Sequence, residues 1–297
     1  MESEIKYWVS TSELVTLETR MILNEYLLSL KLENKAVATI VKYREILERF
    51  FRECKIPIED LVSDDVRTWL DEYSVGKKPK TVDLVLSTLS SFFTFCLNEE
   101  YIERTVMKKR WRPKIPKSLP KYLDEFEFAR VKRIAEQTPI RDRALILFLF
   151  SSGCRVSEAS SLNIQNVDLG KRTAEVLGKG KKIRHIHFSE ECALVLEKYI
   201  LNRNPKPLEP LFKNKFGNRL LVGGIQQVVK KVGIKAALNQ SFHPHCCRHT
   251  FATNMLARGA DLNFIADEMG HEDLNTTRIY ARIPTEDMMA KYQNIMG

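Results

Sequence analysis

Apolar positions in the first hundred residues recur at three- and four-residue steps, the spacing of one face of an α-helix. Leu17, Met21, Leu23, Leu27, Leu28 and Leu30 form the first stripe, from Thr16. Ile40, Tyr43, Leu47 and Phe50 form the second, after Asn34 and Lys35. Ser63, ahead of Asp64 and Asp65, is an N-cap candidate for a third helix through Trp69 and Leu70. A basic turn, Val75-Gly-Lys-Lys-Pro-Lys80, precedes a fourth helix from about Thr81 to Glu99. Its core candidates are Leu84, Leu86, Leu89, Phe92, Phe93 and Phe95. With almost no two-residue alternation here, the region reads as a helical bundle. Residues 1–15 show no strong pattern and read as a loose arm.

The pattern changes in the second half. Asp124 caps a predicted helix through Ile134, and Arg141 to Ser151 is apolar enough to be a buried helix. Thr173 to Leu177 is a predicted strand, Gly178 to Lys182 a glycine-rich turn, and Ile183 to Phe188 the return strand. Alternation then puts Arg184, Ile186 and Phe188 on one face. Helices are predicted over 189–202 and near 225–232, with a proline-rich loop over 204–210 between them. Pro244 opens another helix and Gly259 follows it as a C′ glycine. Asp261 caps the next, Gly270 ends it, and Asn275 or Thr276 starts a third that carries Tyr280. The expected fold is mainly α with a small antiparallel β-sheet. Its expected parts are an arm (1–15), a helical domain (16–112), a linker (113–120) and an α+β domain (121–297).

Charge adds a partner to this picture. The 297-residue chain carries a net +9, which favours an anionic partner, nucleic acid before an anionic membrane. Between Arg104 and Lys121, eight of eighteen residues are basic and none is acidic, while Pro113, Pro116 and Pro120 favour extended chain. So many unbalanced charges point to phosphate contacts, with Lys108, Lys109, Arg110 and Arg112 as candidates. The longest apolar run, Ala144 to Phe150, is too short for a bilayer, and the acidic, polar start is no signal peptide. Six scattered cysteines without a secretory signal argue for reduced thiols, so a cytoplasmic protein is expected.

The candidate chemistry lies between Phe242 and Tyr280. His245 and Arg248 are three apart and share a helix face. His271 follows Gly270, and Tyr280 comes nine residues later. Two helix starts and one loop thus point a guanidinium, two imidazoles and a phenol at one place. These groups suit a phosphodiester: donors for its oxygens and a hydroxyl to attack phosphorus.

The series His245-x-x-Arg248, Gly270-His271 and Tyr280 resembles the C-terminal signature of the tyrosine recombinases, the phage integrases and Xer proteins. His-Thr-Phe-Ala-Thr at 249–253 and Gly-Ala-Asp-Leu at 259–262 resemble it too. Upstream, Ser152-Gly-Cys-Arg-Val-Ser-Glu158 is similar to the family's first motif, with Ser152 and Cys154 in place of commoner residues. Gly178-Lys-Gly followed by Lys-x-Arg looks like its hairpin, whose turn lysine maps to Lys179, with Lys181 and Lys182 as competitors.

The resemblance implies an N-terminal SAM-like core-binding domain and a C-terminal catalytic domain. It implies a site-specific recombinase in which Tyr280 forms a 3′-phosphotyrosyl bond. Arg155 and Arg248 would hold the phosphate, His245 would take the phenolic proton or donate to a phosphate oxygen, His271 would add a donor, Lys179 would protonate the leaving oxygen, and Glu158 would support the site. Lys35, Thr39, Lys77, Lys78 and Lys80 would lie near DNA. The partner would be double-stranded DNA with paired inverted half-sites, bound by a homotetramer that exchanges C-terminal tails, with no membrane involved. One phosphate ester replaces another, so no cofactor is expected, and two arginines fill the charge-neutralising role that a metal often plays.

Three rival readings follow from the same residues. His243, His245, Cys246, Cys247 and His249 crowd seven positions, but adjacent cysteines point apart on a helix and nothing completes a tetrahedral zinc site. A non-catalytic DNA-binding regulator would keep the fold without the reactive residues, yet all six are present. A type IB topoisomerase uses similar chemistry, and site-dependent strand exchange separates it from a recombinase.

Overall fold

The computed structural model describes residues 6–115, 120–178, 182–201, 203, 205–271 and 273–280. The chain packs as two units, Met1–Lys117 and Ser118–Gly297.

The first unit is a bundle of α1 (Leu17–Leu32), α2 (Val37–Glu53), α3 (Ser63–Ser74) and α4 (Pro79–Asn98). Thr16 caps α1 by accepting the Thr19 N–H at 3.3 Å. Ser63 is the first residue of α3 and not its cap; Asp65 Oδ2 accepts the Val62 N–H at 3.0 Å instead. Pro79, with φ preset and no N–H to lose, opens α4. The interior is aromatic. Phe50 meets Trp69 edge-on at 5.0 Å and Phe93 at 6.0 Å between ring centroids. Tyr26 is buried with its hydroxyl on Ser91 Oγ at 2.8 Å.

Helix α1 is rotated from the expected stripe. Leu23, Tyr26, Leu27 and Leu30 face inward with Thr19, while Leu17, Met21 and Leu28 are exposed. The helix carries apolar residues on two faces, and the face holding the large aromatic buries more area. Leu84 is likewise exposed and Val85 buried. The expected loose arm packs from Lys6 onward. Lys31 Nζ sits 3.4 Å over the Trp8 ring, and Arg44 donates to the Tyr7 and Val9 carbonyls. The stretch expected as extended basic chain starts on the bundle: Val106 is buried, and a 3₁₀ turn over Lys109–Trp111 packs Trp111 against the core. Helix α4 alone among the described residues is long and apolar enough to cross a membrane, and its apolar face supplies this core.

The second unit holds α5 (Glu125–Glu136), α6 (Ile140–Ser152), α7 (Val156–Ser161), β1 (Val167–Asp168), β2 (Thr173–Leu177), β3 (Ile183–His187), α8 (Glu190–Leu201), α9 (Val222–Lys235), α10 (Pro244–Ala257) and α11 (Leu262–Met269). Asp124 and Glu127 form a reciprocal capping box at the start of α5. Every residue from Ala144 to Phe150 is buried, because α6 is wrapped by α5, α8 and α10. The antiparallel sheet runs β1-β2-β3, with Thr173 opposite His187 and Leu177 opposite Ile183. The strand β1 was not legible as a strand: two residues are too few for a period.

Two glycines place the site. Gly153 ends α6 in the left-handed region (φ 58°), where a Cβ would strike the Phe251 ring. Gly270 ends α11 at φ 63°, and a Cβ there would strike Arg184 Nε. The expected third helix is a 3₁₀ turn over Leu274–Thr276 followed by further turns to Tyr280.

Candidate active site

The left-handed turn at Gly153 puts Arg155 at the N-cap of α7. Its backbone N–H donates to Glu158 Oε2 at 2.7 Å and its Nη1 to Oε1 at 2.8 Å. Glu158 is only 2% exposed, and its Oε2 also accepts from Arg184 Nη2 at 3.0 Å. One buried carboxylate therefore orients two guanidinium groups.

The third guanidinium is that of Arg248, from the second turn of α10. It donates to the Gly153 carbonyl through Nη1 and to the Met269 carbonyl through Nη2, each at 2.6 Å. Arg155 Nη2 donates to the Gly270 carbonyl at 2.8 Å, and Arg184 Nη2 to Met269 O at 3.2 Å. All three arginines thus cap the C-terminal carbonyls of α11. Those carbonyls have no intrahelical partner and carry the negative end of the helix dipole, so cations are stabilised there. Three positive groups over one carboxylate leave an excess of positive charge beside a cleft of about 270 Å³. Arg155, Lys182, Arg184 and His271 line it, with Asp267 as the one acidic lining residue among those described. That excess suits an anion with several oxygens.

The same field acts on the neighbouring groups. Arg248 is 5% exposed, and burial brings its pKa down to about 10, helped by Arg155 and opposed by Glu158. His271 accepts or donates at 2.7 Å to Thr277 Oγ1 through Nδ1. Burial, then Arg248 and Arg155, lowers its pKa to about 4. His245 is exposed in the first turn of α10, and partial burial of its ring with Arg248 and Arg155 nearby also lowers its pKa. Tyr280 is 1% exposed. Burial pushes its hydroxyl up to about 12, and the charge of Arg248 opposes that rise. The hydroxyl lies 2.8 Å from His249 Nδ1.

The fold therefore gathers Arg155, Glu158, Arg248 and His271 around the end of α11, with Tyr280 within reach of the Arg248 charge. Lys179 lies outside the described residues. Three groups were given no role from the sequence, although Arg184 and His249 lie inside the quoted motifs. Arg184 was on the inward face of its strand, and that alternation was its signal. His249 lies one helical turn beyond His245. Thr277 had no signal. Of the expected DNA contacts, Lys35, Lys77, Lys78, Lys80, Lys108, Lys109 and Arg110 are exposed and Thr39 is half-buried. Arg112 folds back instead onto Asp83 at 3.0 Å and Ser87 at 3.1 Å. Among the described residues no group of three His, Cys, Asp or Glu could hold a metal ion. Cys246 and Cys247 lie in the apolar core, which splits the 243–249 cluster between core and surface.

A helical bundle plus an arginine-rich α+β unit, with a tyrosine packed beside its second arginine, defines a DNA strand-transferase class, and comparison with known proteins agrees. Residues 121–286 match the phage integrase family, and residues 23–100 match the phage integrase N-terminal SAM-like domain. The chain belongs to the phage integrase family, as a tyrosine recombinase enzyme. It is 34% identical over 277 residues to tyrosine recombinase XerC of Bacillus subtilis (strain 168), covering 88% of this chain and 91% of that one. It is 36% identical over 272 residues to tyrosine recombinase XerA of Pyrococcus horikoshii (strain OT-3), covering 90% of each. The fold is shared with XerH site-specific recombinase in its post-cleavage complex with a palindromic difH substrate (TM-score 0.76, 21% identity, covering 97% of this chain and 91% of that one).

Proposed function

We propose that this recombinase cuts and rejoins double-stranded DNA through a 3′-phosphotyrosyl bond at Tyr280. The observation that carries the reading is the convergence of Arg155 and Arg248 on the end of α11, beside His271. Together their guanidinium groups neutralise the non-bridging oxygens as the pentavalent transition state forms. His245 and His271 supply further donors, and Lys179 protonates the leaving 5′-oxygen. Glu158 supports the arginines without reacting. The bond to tyrosine conserves the energy of the broken ester, so rejoining needs no nucleotide.

A nicked half-site duplex resolved by denaturing electrophoresis tests this. Wild type traps a covalent adduct, and Tyr280→Phe, with unchanged DNA affinity, traps none. An adduct that persists in the variant, or forms through Tyr292, would falsify the assignment.

The bundle (16–112), with its arm (1–15), grips DNA with the basic stretch that leads into the linker (113–120), and the second unit (121–297) performs the chemistry. Lys35, Lys77, Lys78 and Lys80 face phosphates with Lys108, Lys109 and Arg110. Reversing the charge of these last three lowers affinity and flattens the salt dependence, by about 0.9 in log–log slope for each phosphate left without its cation. An unchanged slope removes the basic stretch at 108–110 from the interface. The working species is a cytoplasmic homotetramer on paired inverted half-sites that exchanges C-terminal tails. Deleting residues 284–297 therefore weakens cooperative half-site binding, and unchanged cooperativity in a folded truncation refutes the exchange.

A further inference from the structure

We propose that His249, and not His245, is the base that takes the phenolic proton of Tyr280. The inference rests on Tyr280 being the nucleophile.

The geometry assigns the pair directly. His249 is half-buried against the buried Tyr280, ring centroids 5.7 Å apart, with Nδ1 and the phenol oxygen at 2.8 Å. That is hydrogen-bond distance between the attacking atom and an imidazole nitrogen, the first requirement for a general base. His245 is exposed one turn earlier on α10, its ring centroid 6.5 Å from that of His249. That leaves His245 free to serve the phosphate.

The protonation states fit this direction of transfer. Burial, then His245 and Arg248, lowers the pKa of His249 to about 4, so its imidazole is neutral near pH 7. The phenol is held protonated in the same pH range. The hydroxyl is then the donor and Nδ1 the acceptor, which fixes the ring proton on Nε2. The positive charge that weakens this base comes partly from Arg248. An anionic phosphate in the cleft offsets that charge and strengthens the base when substrate is present.

The step balances. The bond between the Tyr280 oxygen and phosphorus forms, the bond from phosphorus to the 5′-oxygen breaks, and the phenolic proton passes to His249 Nδ1. The 5′-oxygen takes its proton from the site's acid, for which Lys179 is proposed. On rejoining, the 5′-hydroxyl attacks phosphorus and returns its proton to the site's acid, the bond from phosphorus to the Tyr280 oxygen breaks, and the imidazolium returns its proton to the departing phenolate.

The test uses the full chain and single-turnover adduct formation on a nicked half-site. His249→Ala and His249→Asn are expected to slow adduct formation by about 100-fold or more, the usual weight of a general base. DNA affinity is expected to hold, which also certifies the fold of each variant. Replacing Tyr280 by 3,5-difluorotyrosine, whose phenol ionises nearer neutral pH, is expected to restore most of the loss in either His249 variant. A rate within about threefold of wild type overturns the proposal, and so does a loss that the fluorinated tyrosine does not restore. Adduct formation by Tyr280→Phe is the separate signature of a failed nucleophile assignment.

Discussion

The interior of the bundle and the interior beside Gly270 are built on opposite terms. In the bundle, Phe50, Phe92 and Phe93 pack ring edge to ring face, and the buried hydroxyls of Tyr26 and Thr88 each have a partner close by. Beside Gly270, two of three guanidinium groups share one carboxylate, and the third, Arg248, bonds only backbone carbonyls. Arg184 keeps both Nε and Nη1 buried without a partner. Unpaired buried donors cost free energy, so this region is less stable than its volume of packed atoms would make it. The difference teaches where each unit spends its interior: the first on a stable shape, the second on positive charge held ready for an anion.

The largest expected effect breaks the first side of the comparison. Phe92→Ala empties a fully buried ring position and costs the bundle about 3–5 kcal/mol. Denaturant unfolding should show the loss in the bundle transition and leave that of the second unit in place. A shift shared equally by both transitions denies that they unfold separately.

A smaller loss sharpens the second side. Glu158→Gln removes the carboxylate beneath Arg155 and Arg184 and should destabilise the second unit by about 3 kcal/mol. Inorganic phosphate should then raise Tm more in the variant than in wild type, because an added anion meets more unbalanced charge. Equal phosphate shifts in both proteins argue against an anion-binding field.

The remaining effect is graded by pH and spread over more than two pH units. His249 and His271 are both lowered from about 6.5 to about 4 in the folded state. Between those values the unfolded chain binds protons that the folded chain does not. Stability therefore falls as pH drops from about 6.5 to about 4 and levels off below. On the order of two protons are taken up on unfolding across that window. Replacing both histidines with glutamine should reduce the slope in thermal melts, leaving the smaller part from His243 and His245, whose pKa values burial also lowers. The bundle, whose described residues lack histidine, should melt without it.

Much of this protein was legible in sequence, because the relevant signals are local. Asp124 and Asp261 read as caps, and Gly259 and Gly270 read as helix ends, where the structure has left-handed residues. The hairpin's alternation already turned Arg184 inward with Ile186 and Phe188. The order of Arg155, Arg248, His271 and Tyr280 along the chain carried the family. Tertiary structure decided the rest. Helix α1 had two apolar faces, and only its neighbours could select the one with Tyr26. Capping of α11 by three arginines joins residues 115, 21 and 85 positions apart, beyond the reach of any periodicity. His249 and Tyr280, 31 residues apart, are partners only because the 3₁₀ turn carries the phenol back onto α10. Periodicity records which face of an element is apolar. Which polar groups then meet is set by how the elements pack, and that is where the chemistry of this chain was decided.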